Sequence, residues 1–393
     1  MSANMPSITL EISKHRAQSF GFTTIALALL MLIAPASRAQ QAPPPVAQPA
    51  PANATAAQIY KPVEGDFIAH DFHFKSGETL PELHLHYRTL GTPTRDANGR
   101  VTNAVLILHG TGGWGGNFLV PQFAGVLYGP GQLLDITRYY IILPDGIGHG
   151  KSSKPSDGMR AHFPQYNYDD MVVLQHMTLE QALGVNHLRL ILGASMGCMH
   201  SWAWGEGFPD FMDAIMALAC QPVPIAGRNR AWRKLAMDAI RNDPDWKNGD
   251  YTSQPYAAMV TAASMFFIAS GSALQMQKNF PTREATDAAD EDYAKRFIAS
   301  HDANDLLYAL NASRNYDPSP QLEKITAPVM FVNSADDFIN PPELGIAERE
   351  IKRVKNGHFV LLPISDQTRG HGTHTWAAVW QQYLKELLEA SQH

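Results

Sequence analysis

A serine hydroxyl becomes a useful nucleophile only when a base takes its proton and a carboxylate steadies that base. Gly193-Ala194-Ser195-Met196-Gly197 has the Gly-x-Ser-x-Gly spacing that lifts one serine onto a sharp strand-to-helix turn, its glycines letting neighbouring backbone come close. The apolar run Leu188–Leu192 ahead of it is a predicted buried strand, and Cys198–Gly207 behind it a predicted helix. Acyl chemistry at Ser195 then requires a carboxylate and an imidazole further along the chain, in that order, each in a loop at the carboxyl end of a strand. For the acid, the β-branched run Pro328–Val332 leads into Asn333-Ser334-Ala335-Asp336-Asp337. Asp337, four residues before Pro341, is the candidate, whereas Asp336 is expected to face solvent or bond turn amides. For the base, Phe359–Ile364 reads as the last strand, and its loop reaches Gly370-His371-Gly372-Thr373-His374. His371 is the candidate; His374, one helical turn later, is the alternative, or else a helix cap or a support for His371. His358 stands at the wrong end of the strand.

The negative oxygen of a tetrahedral intermediate needs two backbone N–H groups aimed at it. Met196, directly after the nucleophile, offers one, and Thr111 is the candidate for the other. It follows the apolar strand Ala104–Leu108 in the loop His109-Gly110-Thr111-Gly112-Gly113-Trp114-Gly115-Gly116. A phosphate-cradling role for this loop would require a following Gly-Lys-Ser/Thr, which is missing. His109 is read as a brace for the loop. Asp145 and His149, after the strand Tyr139–Leu143, precede the serine in the chain and are read as loop-fixing.

These residues need a scaffold, and the chain organisation supplies one. Residues 1–39 carry Lys14 and Arg16, an apolar stretch Phe20–Ala34 and the small residues of Ser37-Arg38-Ala39, which predicts an export signal cleaved after Ala39. The stretch is shorter than the ~20 residues that span a bilayer, so a stable membrane anchor is not expected. Residues 40–58, rich in Pro, Ala and Gln, read as a disordered leader. The remainder predicts an α/β core over 59–221 and 325–393, with Ala214–Ala219 as a further buried strand, interrupted by a helical lid over 222–324. Within the lid, Arg230–Arg241, Tyr256–Ser270 and Glu291–Ser313 show apolar residues at three- and four-residue steps. Trp232, Met259, Met265, Phe266 and Phe267 are expected to form lid core, with a few of them lining an acyl pocket. The terminal segment Trp376–Ala390 reads as a helix packed on the sheet.

The formal net charge of -6 is mild, and no basic stripe marks a nucleic-acid partner. The histidines do not fall at paired ligand spacings, so neither a metal nor another cofactor is implied. The two cysteines, Cys198 and Cys220, could pair, but two buried thiols are the expected state.

Phe74-Lys75-Ser76-Gly77 with Tyr87-Arg88-Thr89-Leu90-Gly91, the elbow Gly193–Met199, the segments Ala239–Trp246, Gly249-Asp250-Tyr251 and Asp302-Ala303-Asn304, and Asp337 with Pro341-Pro342 together resemble the homoserine O-acetyltransferase group of α/β-hydrolases. The likeness runs from about Phe74 to the C-terminus. It implies an α/β-hydrolase fold with a mostly parallel sheet, a Ser195–His371–Asp337 triad, a covalent acyl-enzyme and often a dimer joined through lid helices. One departure matters. In that group an aspartate that engages the substrate amino group directly follows the catalytic histidine, and here Gly372 stands there. Without that carboxylate an ammonium ion loses a charge-assisted hydrogen bond worth about 1.5–3 kcal/mol. An exported chain would also lack acetyl-CoA, a cytosolic donor. The expectation is therefore an exported serine esterase for small-molecule esters, with acyl transfer to a small alcohol or amino acid as the alternative.

Overall fold

The computed structural model describes residues 60–392; the expected export signal and leader lie outside them. Eight strands form one sheet: β1 (Val63–His73), β2 (Thr79–Leu90), β3 (Ala104–Leu108), β4 (Tyr140–Pro144), β5 (Leu190–Ala194), β6 (Ile215–Leu218), β7 (Val329–Ser334) and β8 (Gly357–Leu362). Their spatial order is β1-β2-β4-β3-β5-β6-β7-β8. The β1–β2 hairpin is antiparallel and pairs antiparallel with β4, while β3 to β8 run parallel. Strands buried on both faces must be apolar throughout. Alternate residues accordingly sort to two cores: Leu106, Ile142, Ile191, Ile215 and Phe331 on one side, and Val105, Ile141, Leu192, Met216 and Val332 on the other.

The helices are α1 (Ala124–Leu127), α2 (Tyr168–Met177), α3 (Met196–Gly207), α4 (Gly227–Asn242), α5 (Tyr256–Ser270), α6 (Ala273–Asn279), α7 (Arg283–Ser300), α8 (Ala303–Asn311), α9 (Ile346–Glu350) and α10 (Ala377–Ala390). Helices α4 to α8 lie between β6 and β7, and α4, α5, α7 and α8 share a core that includes Trp232, Met237, Ile240, Met259, Phe297 and Leu306. Among the described residues no single helix is long and apolar enough to cross a membrane.

Two expectations change. The apolar period across Glu291–Ser313 predicted one helix, but the chain breaks at His301-Asp302. The Asp302 carboxylate accepts the backbone N–H groups of Asn304 and Asp305 and so starts α8 afresh. Cys198 and Cys220 are not free thiols; they form a disulfide joining α3 to the residues after β6. Sequence separation gave no sign that these positions meet, because it is the parallel pairing of β5 with β6 that brings them together.

The sheet order also sets the site. After β3 the chain moves outward to β4, then returns to lay β5 on the other side of β3. Loops leaving β3 and β5 therefore diverge at a topological switch point, where open α/β sheets form their clefts.

Candidate active site

Ser195 sits between β5 and α3 with φ 55° and ψ −112°, a left-handed conformation that costs a non-glycine residue energy. Close packing holds it there. A Cβ at Gly193 would come within 2.1 Å of the Gly197 carbonyl oxygen, and one at Gly197 within 2.0 Å of the Leu108 carbonyl oxygen. Only glycine fits either position, and the Ser195 N–H is anchored to the Leu218 carbonyl at 2.9 Å.

Asp337 follows β7 and His371 follows β8. The Ser195 hydroxyl lies 2.8 Å from His371 Nε2, and His371 Nδ1 lies 3.0 Å from Asp337 Oδ2. A carboxylate only accepts, so Nδ1 carries the proton, leaving Nε2 free to accept from the serine. Asp337 is buried and fully engaged. Its Oδ1 accepts the N–H groups of Ile339 and Asn340 at 2.7 and 3.1 Å, and its Oδ2 also accepts Asn340 Nδ2 at 3.0 Å. Burial alone would raise its pKa, but His371 and the side chain and backbone of Asn340 hold the carboxyl below its ordinary value.

The loop after β3 is braced from both sides. His109 Nδ1 donates to the Gly110 carbonyl at 2.8 Å, which also accepts Gly113 N–H at 2.9 Å. The same peptide unit carries the Thr111 N–H, and in a trans peptide it must point the opposite way. His109 Nε2 in turn accepts Gly146 N–H at 2.9 Å, and the His149 ring stands 2.8 Å from the Thr111 carbonyl. Burial pushes both imidazole pKa values down, and His109, donating through Nδ1 and accepting through Nε2, is neutral. Asp145 ties the loop to the sheet. Its Oδ1 accepts Arg88 Nη1 and Gly115 N–H, both at 2.8 Å, and its Oδ2 accepts Lys151 N–H at 2.9 Å. Gly110 then packs on the nucleophile, where a Cβ would lie 3.3 Å from that of Ser195. Met196, as the first residue of α3, has an N–H with no acceptor inside its helix.

Residues 103–363 match the family model described as alpha/beta hydrolase fold. A homoserine O-acetyltransferase from Geobacter sulfurreducens is 30% identical over 312 residues, covering 69% of this chain and 82% of that protein. The homoserine O-acetyltransferase of Bacillus anthracis superposes with TM-score 0.73 at 20% identity, over 84% of this chain and 98% of its own. An acetylester hydrolase from Corynebacterium glutamicum gives TM-score 0.72 at 20% identity, over 83% and 96% of the two chains. The chain belongs to the homoserine O-acetyltransferase-like group of α/β-hydrolases. Ester hydrolysis and acyl transfer are the reactions represented among these hydrolase relatives.

Against this α/β-hydrolase frame the remaining candidates take definite places. His374 lies edge-on to His371 with ring centroids 5.3 Å apart, and makes no bond to Ser195. Burial and the neighbouring His371 push its pKa down to about 3, which keeps it neutral. His358 lies in β8 on an exposed surface. Asp336 fastens the loop that carries His371, its Oδ2 accepting Thr368 Oγ1 at 3.0 Å and Gly370 N–H at 3.1 Å. Its bond to a turn amide fits the expectation; that the amide belongs to the His371 loop is new. Gly370 itself has φ +60°, and its α-carbon faces the Gly271 carbonyl from the turn between α5 and α6.

A cavity of about 290 Å³ opens on Ser195 and His371, lined by the β3 loop and by Trp232, Arg233, Phe266 and Tyr293 of the insertion. Of the aromatic and methionine residues expected in the insertion core, Trp232 and Phe266 reach this cavity, while Met259 stays in the core. Arg233 was not singled out from sequence. It falls in the buried stripe of α4 with Ala236, Met237 and Ile240, and a cation inside such a stripe was the available signal.

Proposed function

We propose that the protein is an exported serine hydrolase that cleaves carboxylic esters of small molecules through an acyl-enzyme. The carrying observation is the hydrogen-bond chain from Ser195 through His371 to Asp337, at 2.8 and 3.0 Å, at the edge of a cavity. In this reading Ser195 Oγ attacks the ester carbonyl as its proton passes to His371 Nε2, and Asp337 holds the resulting imidazolium in place. The Thr111 and Met196 N–H groups stabilise the oxyanion. His371 then returns the proton to the departing alkoxide, giving an alcohol and acyl-Ser195. Water, deprotonated by His371, attacks that ester, and Ser195 leaves with the proton as the carboxylic acid is released.

Hydrolysis is preferred to transfer because Gly372 supplies no carboxylate beside His371 for an amino-acid acceptor. The names of the relatives favour acyl transfer as the second reading. Export is supported by the sequence of residues 1–39 and by the Cys198–Cys220 disulfide, a bond that persists in oxidising compartments. A fluorophosphonate probe followed by peptide mass spectrometry tests the nucleophile, with an adduct expected on Ser195. Incubating the enzyme with a 4-nitrophenyl ester and homoserine separates the readings: free acid is expected, and acylated homoserine as the main product would reverse the order.

A further inference from the structure

Arg233 is 1% exposed, yet none of the ion pairs of the described residues includes it. Its Nε donates to Asn229 Oδ1 at 3.0 Å, one turn earlier in α4, which fixes the plane of the guanidinium. Its Nη1 is buried without a partner. Burial pulls its pKa down; the Tyr168 hydroxyl beside it opposes that shift through its charge and a hydrogen bond, Arg230 adds to it, and no carboxylate is among the groups that act on it. A guanidinium nevertheless remains charged. Trp232, the preceding residue, repeats the pattern: its indole Nε1 is also buried and unpartnered, and its ring centroid lies 5.0 Å from the guanidinium carbon. Arg233 Nη1 and Trp232 Nε1, which can only donate, thus stand side by side with no acceptor for either.

A buried cation with no carboxylate partner costs several kcal/mol, and native structures rarely carry one without a reason. The reason lies in the position. Both residues line the cavity that contains Ser195 and His371, and that lining includes no aspartate or glutamate. Phe118, Val120, Phe266 and Ile339 give the cavity apolar walls that offer the charge no partner.

We propose, building on the ester-hydrolase reading, that Arg233 receives a carboxylate of the substrate, with the Trp232 N–H beside it, so that the esters cleaved are anionic rather than neutral or zwitterionic. A zwitterion would bring an ammonium into a cavity whose lining offers it no carboxylate. The volume of about 290 Å³ restricts the choice to small ester acids.

Two measurements test this. The first compares kcat/KM of full-length protein for the 4-nitrophenyl monoester of glutarate with the methyl-capped diester, and for 3-acetoxybenzoate with 3-acetoxybenzamide. At least one anionic member is expected to be favoured tenfold or more, whichever side of the ester carries the charge. That ratio is expected to collapse in Arg233→Gln and to survive in part in Arg233→Lys. The second titrates glutarate and benzoate into Ser195→Ala, following tryptophan fluorescence and melting temperature, with and without Arg233→Gln. Saturable binding weakened tenfold or more by the arginine change is expected. Asn229→Ala, which only frees the guanidinium plane, is expected to weaken it less, and it serves if Arg233→Gln does not fold. Hydrolysis of neutral esters through Ser195 with no anionic preference and no carboxylate binding overturns the arginine assignment while the hydrolase reading stands. Carboxylate binding through Arg233 without turnover of any ester does the reverse.

Discussion

Replacing Gly370 by alanine should disable the base without touching any polar group. The residue precedes His371 and holds φ +60°, where an L-residue costs about 1–2 kcal/mol. The added Cβ would lie 2.3 Å from the Gly271 carbonyl oxygen, 2.8 Å from its carbon and 3.1 Å from Ser272 N. Carbon and carbonyl oxygen ordinarily meet no closer than about 3.3 Å, so the backbone must separate by roughly 1 Å. Both clashing partners are main chain, and Asp336 holds the Gly370 N–H from the other side at 3.1 Å, so the loop has no cheap escape. A shift of that size takes His371 Nε2 out of the roughly 2.6–3.2 Å range needed to accept the serine proton. Misplacement by about 1 Å costs about 100-fold in rate, equivalent to about 2.7 kcal/mol. The assay is kcat and KM on 4-nitrophenyl acetate with the rate of fluorophosphonate labelling, beside Gly372→Ala. That control places its Cβ no closer than 3.5 Å to a neighbour and should lose far less. A Gly370→Ala protein with kcat within threefold of wild type and an unchanged melting temperature would refute the reasoning.

Other outcomes follow from the two neighbouring aspartates and from Gly372. Asp337→Asn should lower kcat by about 10⁴, because an amide can donate to Nδ1 and stabilise the wrong tautomer. Asp336→Ala should lower it only about tenfold with KM little changed, through loosening of the His371 loop; equal losses at the two positions would exchange their assignments. The depressed carboxyl pKa of Asp337 carries stability that is present above the unfolded value of about 3.9 and is lost as pH falls through the folded value. Melting temperatures measured from pH 6 to pH 2 should therefore fall more steeply for wild type than for Asp337→Asn, and parallel curves would remove the linkage. Gly372→Asp has room for its Cβ and adds a carboxylate beside His371. It should lower the concentration of homoserine needed to intercept the acyl-enzyme by about 10- to 100-fold, measured as the ratio of acylated homoserine to free acid.

What the sequence made legible was whatever depends on local pattern. The run Ala104–Leu108 is β3 to the residue, because a strand buried on both faces must be apolar throughout. The strand before the serine lies two residues later than its most apolar stretch, since Gly193 and Ala194 pair with Ala217 and Leu218 and continue the ladder. Small residues hide that continuation. Chain order and strand ends brought Asp337 and His371 forward as candidates, and the fold puts them in one hydrogen-bonded line with Ser195. The choice of His371 over His374 turned on three residues of loop whose path is set by Gly271, nearly a hundred positions earlier, and no local pattern encodes that contact. The break between α7 and α8 was hidden for a different reason: the apolar period runs on through His301, and only the Asp302 side chain ends it. Arg233 was passed over because helical periodicity counts apolar positions, and a cation among them reads as noise until the cavity is seen.

The bond between Cys198 and Cys220 ties the first turn of the helix behind the nucleophile to the point where the chain departs for the insertion. It closes a loop whose ends are 22 positions apart, which by chain entropy alone favours the native state by about 3 kcal/mol. A molecule folded where thiols stay reduced would lack that clamp at the very turn that strains Ser195. Its melting curve would then be a chemical memory of where it was made: one sequence, two stabilities, told apart by whether oxidant reached the chain before or after the sheet closed.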